Sequence, residues 1–259
     1  MVSEAKAIEA VLITGATGAI GSALARAYAA AGVTLFLQGR KVDQLATVAE
    51  QCKLLGAHVA TAAFDLRQRE QLSQWLSQVC QQHVPDLIIV NAAININGGA
   101  DNAGENWQDV DTLLEVNIRA ALATVNGVLP AMRHRGHGQI ALVSSLAAYH
   151  GLPMTPSYCA SKAALKAYGE GLRSWLAPEG IKVNVIMPGY VESAMCDQMP
   201  GPKPFLWPPD KAAKAIKCGL AANKARISFP FPLNFGTWFL AVLPAGISQR
   251  LLGLFGYAA

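Results

Sequence analysis

A tyrosine stands four residues before a lysine in Ser157-Tyr158-Cys159-Ala160-Ser161-Lys162, and this pair is well suited to move a proton. Thr155 is a good N-cap and Pro156 suits the first helical position, so a helix is predicted over about 156–176. Residues four apart share one face of a helix, so Tyr158 and Lys162 point the same way. A tyrosine alone, with an unperturbed pKa of about 10, is a poor acid–base group near neutrality. An ammonium beside it favours the phenolate and brings the group closer to working pH. Ser145 lies thirteen residues before the tyrosine, in Ser144-Ser145. Tyr-x-x-x-Lys also arises by chance, and an ordinary pair on a solvated helix face reads the same way.

The elements that must position this pair start near the N-terminus. Ala10-Val11-Leu12-Ile13 reads as a buried strand. Thr14-Gly15-Ala16-Thr17-Gly18-Ala19-Ile20-Gly21 follows, and a small-residue helix is predicted over 18–31. Strand, glycine loop and helix in succession form the setting of a dinucleotide fingerprint. Glycines let the backbone turn sharply and approach a pyrophosphate, and the helix N-terminus offers free N–H groups to that anion. The second strand, Thr34–Gln38, bears on which nucleotide binds. An acidic side chain at its end would bind a ribose 2′-hydroxyl and repel a 2′-phosphate. Gly39 holds that place, with Arg40 and Lys41 after it. Arginine makes bidentate contacts to phosphate, so NADP(H) is favoured over NAD(H). The alternative is that both basic residues cap the helix predicted over 42–55.

Further strands are predicted at His58–Phe64, Asp86–Val90, Gln139–Val143, Ile181–Met187 and Arg226–Phe229, with helices between them. Asp65-Leu66 follows the third, and Asn91-Ala92-Ala93 the fourth. Asn117 falls in Leu114-Glu115-Val116-Asn117, inside a helical stretch over 107–133, where asparagine is unfavourable by propensity. Pro188-Gly189-Tyr190-Val191-Glu192-Ser193 follows the sixth strand. This set, in this order, resembles the short-chain dehydrogenase/reductase family, in its smaller single-domain branch, over about residues 8–229.

The resemblance implies an α/β fold: a Rossmann-type, doubly wound parallel sheet of about seven strands flanked by helices. It implies a catalytic set of Asn117, Ser145, Tyr158 and Lys162. Ser145 would hydrogen-bond the reacting carbonyl oxygen, Lys162 would also bind the nicotinamide ribose, and Asn117 would hold a water that relays protons. For the cofactor it implies Gly15, Thr17, Gly18, Ile20 and Gly21 in the glycine loop, with Arg40 beyond the second strand. Asp65 would contact the adenine amino group, and Leu66, Asn91 and Ala92 would also bind the cofactor. Tyr158, Lys162, Pro188, Val191 and Ser193 would face the nicotinamide. Asp65 also reads as an N-cap for a helix beginning near Arg67, and Asn117 as an asparagine satisfying its own helix. Three positions depart from the family pattern: Ala19 replaces the middle glycine of Thr-Gly-x-x-x-Gly-x-Gly, Ile94 replaces a glycine after Asn91-Ala92-Ala93, and Ser193 replaces a threonine.

At 259 residues one α/β domain is the simplest fit. Hydrophobic residues make up 52% and charged ones 15%, which excludes a disordered chain. A net charge of +4, spread along the sequence, argues against a nucleic-acid protein. The five cysteines form no Cys-x-x-Cys pair and read as reduced thiols of a cytosolic chain. No metal site is expected. Within domain residues 1–229, the resemblance places a substrate lid over about 190–209, a Pro-rich and aromatic stretch. Residues 230–259 form an apolar C-terminal extension.

From Ile227 to Gln249 no residue is charged, and the stretch carries Phe229, Phe231, Phe235, Trp238 and Phe239. Its length approaches a membrane span, but Pro230, Pro232, Gly236, Pro244 and Gly246 interrupt it. It reads as a wall packed on its own chain or on a partner subunit; peripheral contact with an anionic membrane is the alternative. The expected activity is NADP-dependent interconversion of a ketone or aldehyde and an alcohol on a hydrophobic small molecule. Two alternatives are a membrane-surface lipid-ketone reductase and a non-enzymatic nucleotide-binding or scaffolding relative. By resemblance the chain forms a homodimer or homotetramer through the helices over 107–133 and 156–176.

Overall fold

A computed structural model describes residues 8–98, 104–199 and 201–254. Seven parallel strands form one sheet: β1 (Ala10–Thr14), β2 (Thr34–Gly39), β3 (His58–Ala63), β4 (Leu87–Val90), β5 (Gly138–Val143), β6 (Ile181–Pro188) and β7 (Arg226–Phe229). Their order is β3-β2-β1-β4-β5-β6-β7. The central strands are apolar at nearly every position because both faces of the sheet are covered. Side chains alternate between two cores. Val11, Ile13, Leu35 and Leu37 face helices α1 (Ala19–Tyr28), α2 (Val42–Leu54) and α8 (Pro209–Ala221). Ala10, Leu12, Phe36 and Ile88 face α3 (Arg69–Gln82), α5 (Ala121–Arg135) and α6 (Pro156–Leu176). This is the doubly wound fold the sequence predicts.

The stretch over 107–135 is less regular than its sequence pattern. Helix α4 (Trp107–Leu114) passes through a π-helical segment, Glu115–Ala120, into α5. A π-turn holds one more residue than an α-turn and is found often at functional sites. Asn117 sits in this segment, fully buried. The cap of α3 is Gln68. Asp65 is therefore not the N-cap read from the sequence; its carboxylate accepts from the Arg67 N–H at 3.0 Å in a tight turn before the helix.

Beyond β6 come a short helix α7 (Ala194–Asp197) and, after β7, α9 (Leu233–Val242) and α10 (Ala245–Leu252). No helix among the described residues is long and apolar enough to cross a membrane. Of the polar insert Asn95–Gly104, residues 99–103 lie outside the described residues, as do 255–259 of the extension.

Candidate active site

The sheet order reverses between β1 and β4, so the chain leaves these neighbours toward opposite faces. Such a switch point opens a crevice at the carboxyl ends of the strands. A cavity of about 1200 Å³ occupies it. A pocket for one small ligand spans roughly 300–1,000 Å³, so this one has room for two molecules side by side.

One half of the cavity is floored by the glycine loop. Gly15 lies in the left-handed region at φ 66°, and a Cβ there would meet the Ala92 Cα at 2.7 Å. Gly21 must also lack a side chain, since its Cβ would run into the Gly15 carbonyl and meet Asn91 Nδ2 at 2.8 Å. Gly18 is different: it is exposed, has ordinary φ, and a Cβ there would meet one atom within 4 Å, the Gly15 carbonyl at 3.4 Å. Gly18 caps α1 without any side-chain hydrogen bond, so the first-turn N–H groups lack protein side-chain caps. Thr17, Gly18, Ala19 and Ile20 line the cavity; Gly21 packs beneath them.

Asn91 fastens this loop to β4. Its Nδ2 donates to the carbonyls of Thr14 and Gly15 at 3.1 and 3.0 Å, and its N–H donates to Thr14 Oγ1 at 3.1 Å. Gln38, which the sequence reading passed over, does the same from β2. Its Oε1 accepts from the Gly15 N–H at 3.2 Å and its Nε2 donates to the Phe64 carbonyl at 2.7 Å. Glutamine is depleted in buried strands, and that is the signal that marks it. At the end of β2 the cavity is lined by Gly39, Arg40, Lys41 and Gln44. The acid on this side, Asp65, is held by Arg67 through a 2.8 Å ion pair, which keeps its carboxyl below the usual range. Leu66 and Ala92 also line this half.

The other half contains the tyrosine and lysine. Helix α6 presents both to the cavity and buries both, Lys162 to 2% exposure. The Lys162 Nζ donates to the Val143 carbonyl at 2.9 Å, and the Ser144 hydroxyl donates to the Lys162 carbonyl at 2.7 Å. Burial pushes the Lys162 ammonium down to about 8. Burial also pushes the Tyr158 phenol up to about 12, opposed by a hydrogen bond with Ser145. The Nζ lies 5.6 Å from the ring centroid and points at β5, and the lowering influence on Tyr158 comes from Ser145.

Asn117 does not line the cavity. Its Oδ1 accepts from the Ile94 N–H at 2.8 Å, and its Nδ2 donates to the Ile94 carbonyl at 2.9 Å and to Ser161 Oγ at 3.1 Å. The side chain thus bridges the loop after β4 to α6 and leaves its own helix backbone alone. Glu105 braces α6 from the same side: its carboxylate accepts from the Ser157 N–H at 3.2 Å and from the Ser157 hydroxyl. Pro188, Val191 and Ser193 line the cavity at the end of β6. The Ser193 hydroxyl is occupied as the cap of α7, accepting from the Cys196 N–H at 3.1 Å and donating to the Val191 carbonyl at 3.1 Å. Pro202, Pro204 and Phe205 from the stretch after β6, and Leu233, Phe239 and Leu252 from the tail, line the cavity's apolar side.

The residues fit a dinucleotide. The glycine loop leaves a groove that a Cβ at Gly18 would enter, cationic side chains stand at the end of β2, and the groove runs on to Tyr158. A sequence model of the family described as short chain dehydrogenase matches residues 9–202. The chain belongs to the short chain dehydrogenase family. It is 33% identical over 235 residues to an uncharacterized oxidoreductase of Myxococcus xanthus (strain DK1622), covering 90% of this chain and 92% of the relative. Its fold matches a short-chain dehydrogenase from Sphingobium yanoikuyae solved in complex with NADPH, with a TM-score of 0.80, 22% identity and 95% of each chain covered. It also matches the L-sorbose reductase of Gluconobacter frateurii, solved with NADPH and L-sorbose, with a TM-score of 0.73, 24% identity, and 86% of this chain and 94% of that one covered. The chain is thus an oxidoreductase-family protein with a nicotinamide-nucleotide fold.

Proposed function

We propose that this chain is an NADP(H)-dependent oxidoreductase that interconverts a hydrophobic ketone or aldehyde and the matching alcohol. The observation that carries this reading is that Tyr158, Ser145 and Lys162 line one cavity with the glycine loop and an apolar wall. Two hydroxyls lining one cavity can both turn to one carbonyl oxygen. Ser145 would donate to that oxygen and stabilise its developing charge. Tyr158 would give the oxygen its proton in reduction and take it back in oxidation.

Lys162, with its pKa near 8, gains or loses a proton close to neutrality beside the tyrosine ring. Asn117 would act through its grip on Ile94 and Ser161, holding the loop after β4 against α6, in addition to the water-relay role that the family resemblance implies. Gly15, Thr17, Gly18, Ile20 and Gly21 would cradle the pyrophosphate, Asp65, Leu66, Asn91 and Ala92 the adenosine, and Pro188, Val191 and Ser193 the nicotinamide. The bound cofactor would supply the hydride.

Preference for NADP(H) rests on Arg40 and Lys41 at the end of β2, with the acid Asp65 already neutralised by Arg67. That two structures sharing the fold hold NADPH agrees with this by analogy. A binding titration with NADPH and with NADH tests it: tighter NADPH binding, lost in Arg40→Ala, is expected, and equal or tighter NADH binding contradicts it. The reading includes self-association through α4–α5 and α6, whose outer surfaces expose Trp107 and Trp175, and a cytosolic setting, in keeping with five free cysteines.

A further inference from the structure

Helix α9, Leu233–Val242, is built from Leu, Asn, Phe, Gly, Thr, Trp, Ala and Val, and none of its residues is buried. In water a helix of that composition should hide an apolar face. Its inner side does meet the cavity, through Leu233, Gly236 and Leu240. Its outer side does not. Trp238 is 41% and Val242 58% exposed, and neither lines the cavity; on α10 Ile247 is 50% exposed. Between the two sides stand Phe235 and Phe239, which line the cavity and are also 56% and 45% exposed. The cavity therefore reaches the surface beside an apolar stripe, with aromatic rings at its rim. Phe235 touches Trp238 and Phe239 at ring separations of 5.6 and 6.3 Å, so the stripe is continuous.

This wall is anchored. His150 Nε2 and the buried Ser248 hydroxyl of α10 are hydrogen-bonded at 2.9 Å, and Leu252 is buried beside the cavity. The one charged residue of α9 and α10 is the exposed Arg250, and from Lys211 to Leu254 the sequence holds five further basic residues and no acidic one; of these Arg226 is ion-paired with Glu170 and Lys217 donates to the Ala27 carbonyl. Exposed apolar patches mark interaction surfaces. Aromatic residues favour the membrane–water boundary, and basic residues are drawn to anionic headgroups. A second copy of the chain seated on this stripe would cover the rim at Phe235 and Phe239. A bilayer there would leave the cavity opening into the acyl region.

We infer that α9 and α10 seat on an anionic bilayer surface, and that the cavity takes a long-chain apolar carbonyl compound directly from it. The substrate end of this inference rests on the carbonyl chemistry proposed above; the docking does not.

The test uses the full chain and vesicles of phosphatidylcholine with and without phosphatidylglycerol. The chain is expected to co-sediment with the phosphatidylglycerol vesicles. Trp238→Glu/Val242→Glu is expected to weaken that binding at least about tenfold, with circular dichroism and NADPH affinity unchanged. Ile247→Asp, on the other helix, should weaken it in the same direction and serves if the double variant does not fold. With substrate present, the double variant should keep turnover of a short water-soluble ketone and lose turnover of a long-chain ketone dissolved in the vesicles. Wild-type protein that stays off the vesicles overturns the inference, as do folded variants that bind like wild type. So does a wild-type dimer that the double variant dissociates, since a second copy would then own the stripe. Vesicle binding that depends on Trp238 and Val242, without turnover of any ketone, supports the docking and overturns the oxidoreductase reading instead.

Discussion

The Lys162 ammonium stands 5.6 Å from the centre of the Tyr158 ring and donates to the Val143 carbonyl, so the two side chains share a buried pocket without a direct bond. Burial opposes the charged form of each, which is why the lysine falls to about 8 and the tyrosine rises to about 12.

This arrangement gives the ligand-free protein a defined pH dependence. An unfolded lysine titrates near 10.5 and the folded one near 8. Between these values the unfolded chain holds a proton that the folded one has released, so stability rises with pH across that window. Tyr158 works the other way above pH 10, where the unfolded phenol ionises and the folded one does not, so stability falls from there toward 12. Lys162→Met removes the first effect. It should flatten the rise between pH 8 and 10, while the Val143 carbonyl loses its donor. Urea unfolding at a series of pH values measures this; a variant with the wild-type pH profile contradicts it.

The glycine loop makes a contrast between two substitutions. Gly21→Ala would drive a methyl into the Gly15 carbonyl and the Asn91 amide. Overpacking of this kind costs about 1–3 kcal/mol, so the melting temperature should fall. Gly18→Ala has ordinary backbone angles and open space around its Cβ. It should leave the melting temperature unchanged and weaken NADPH binding, because its methyl would stand in the groove. Thermal melts and NADPH titrations of both variants decide the point; equal loss of stability in the two would contradict it.

Asn117→Ala should act through structure. It strips partners from the Ile94 N–H and carbonyl and from Ser161 Oγ. Leaving a buried polar group unsatisfied costs about 1–3 kcal/mol. A loss of that size in urea unfolding is expected, together with greater hydrogen exchange at Ile94. Unchanged exchange at Ile94 would show that the bridge carries no load.

Much of this was legible in the sequence because local signals agreed with the fold. Thr155-Pro156 placed the start of α6, and apolar runs ending in glycine, asparagine or proline placed the strands within a residue or so. The π-segment around Asn117 was not legible, since a one-residue bulge leaves no mark on a helical pattern. Gln38 and Glu105 were missed because their partners, Gly15 and Ser157, lie far along the chain. The tail was readable as apolar, but not as two helices against the cavity. With apolar residues on every side of α9, no periodicity says which face turns inward. Spacing put Lys162 on the face of Tyr158 without showing that its ammonium would turn to the Val143 carbonyl.

The central claim is that Tyr158 moves the proton. The most direct measurement is NADPH oxidation driven by a hydrophobic ketone, in wild type and in Tyr158→Phe, with NADPH affinity measured in both. The account predicts a fall in kcat of about 10²–10⁴-fold with NADPH affinity retained. Wild-type turnover by the phenylalanine variant would contradict it.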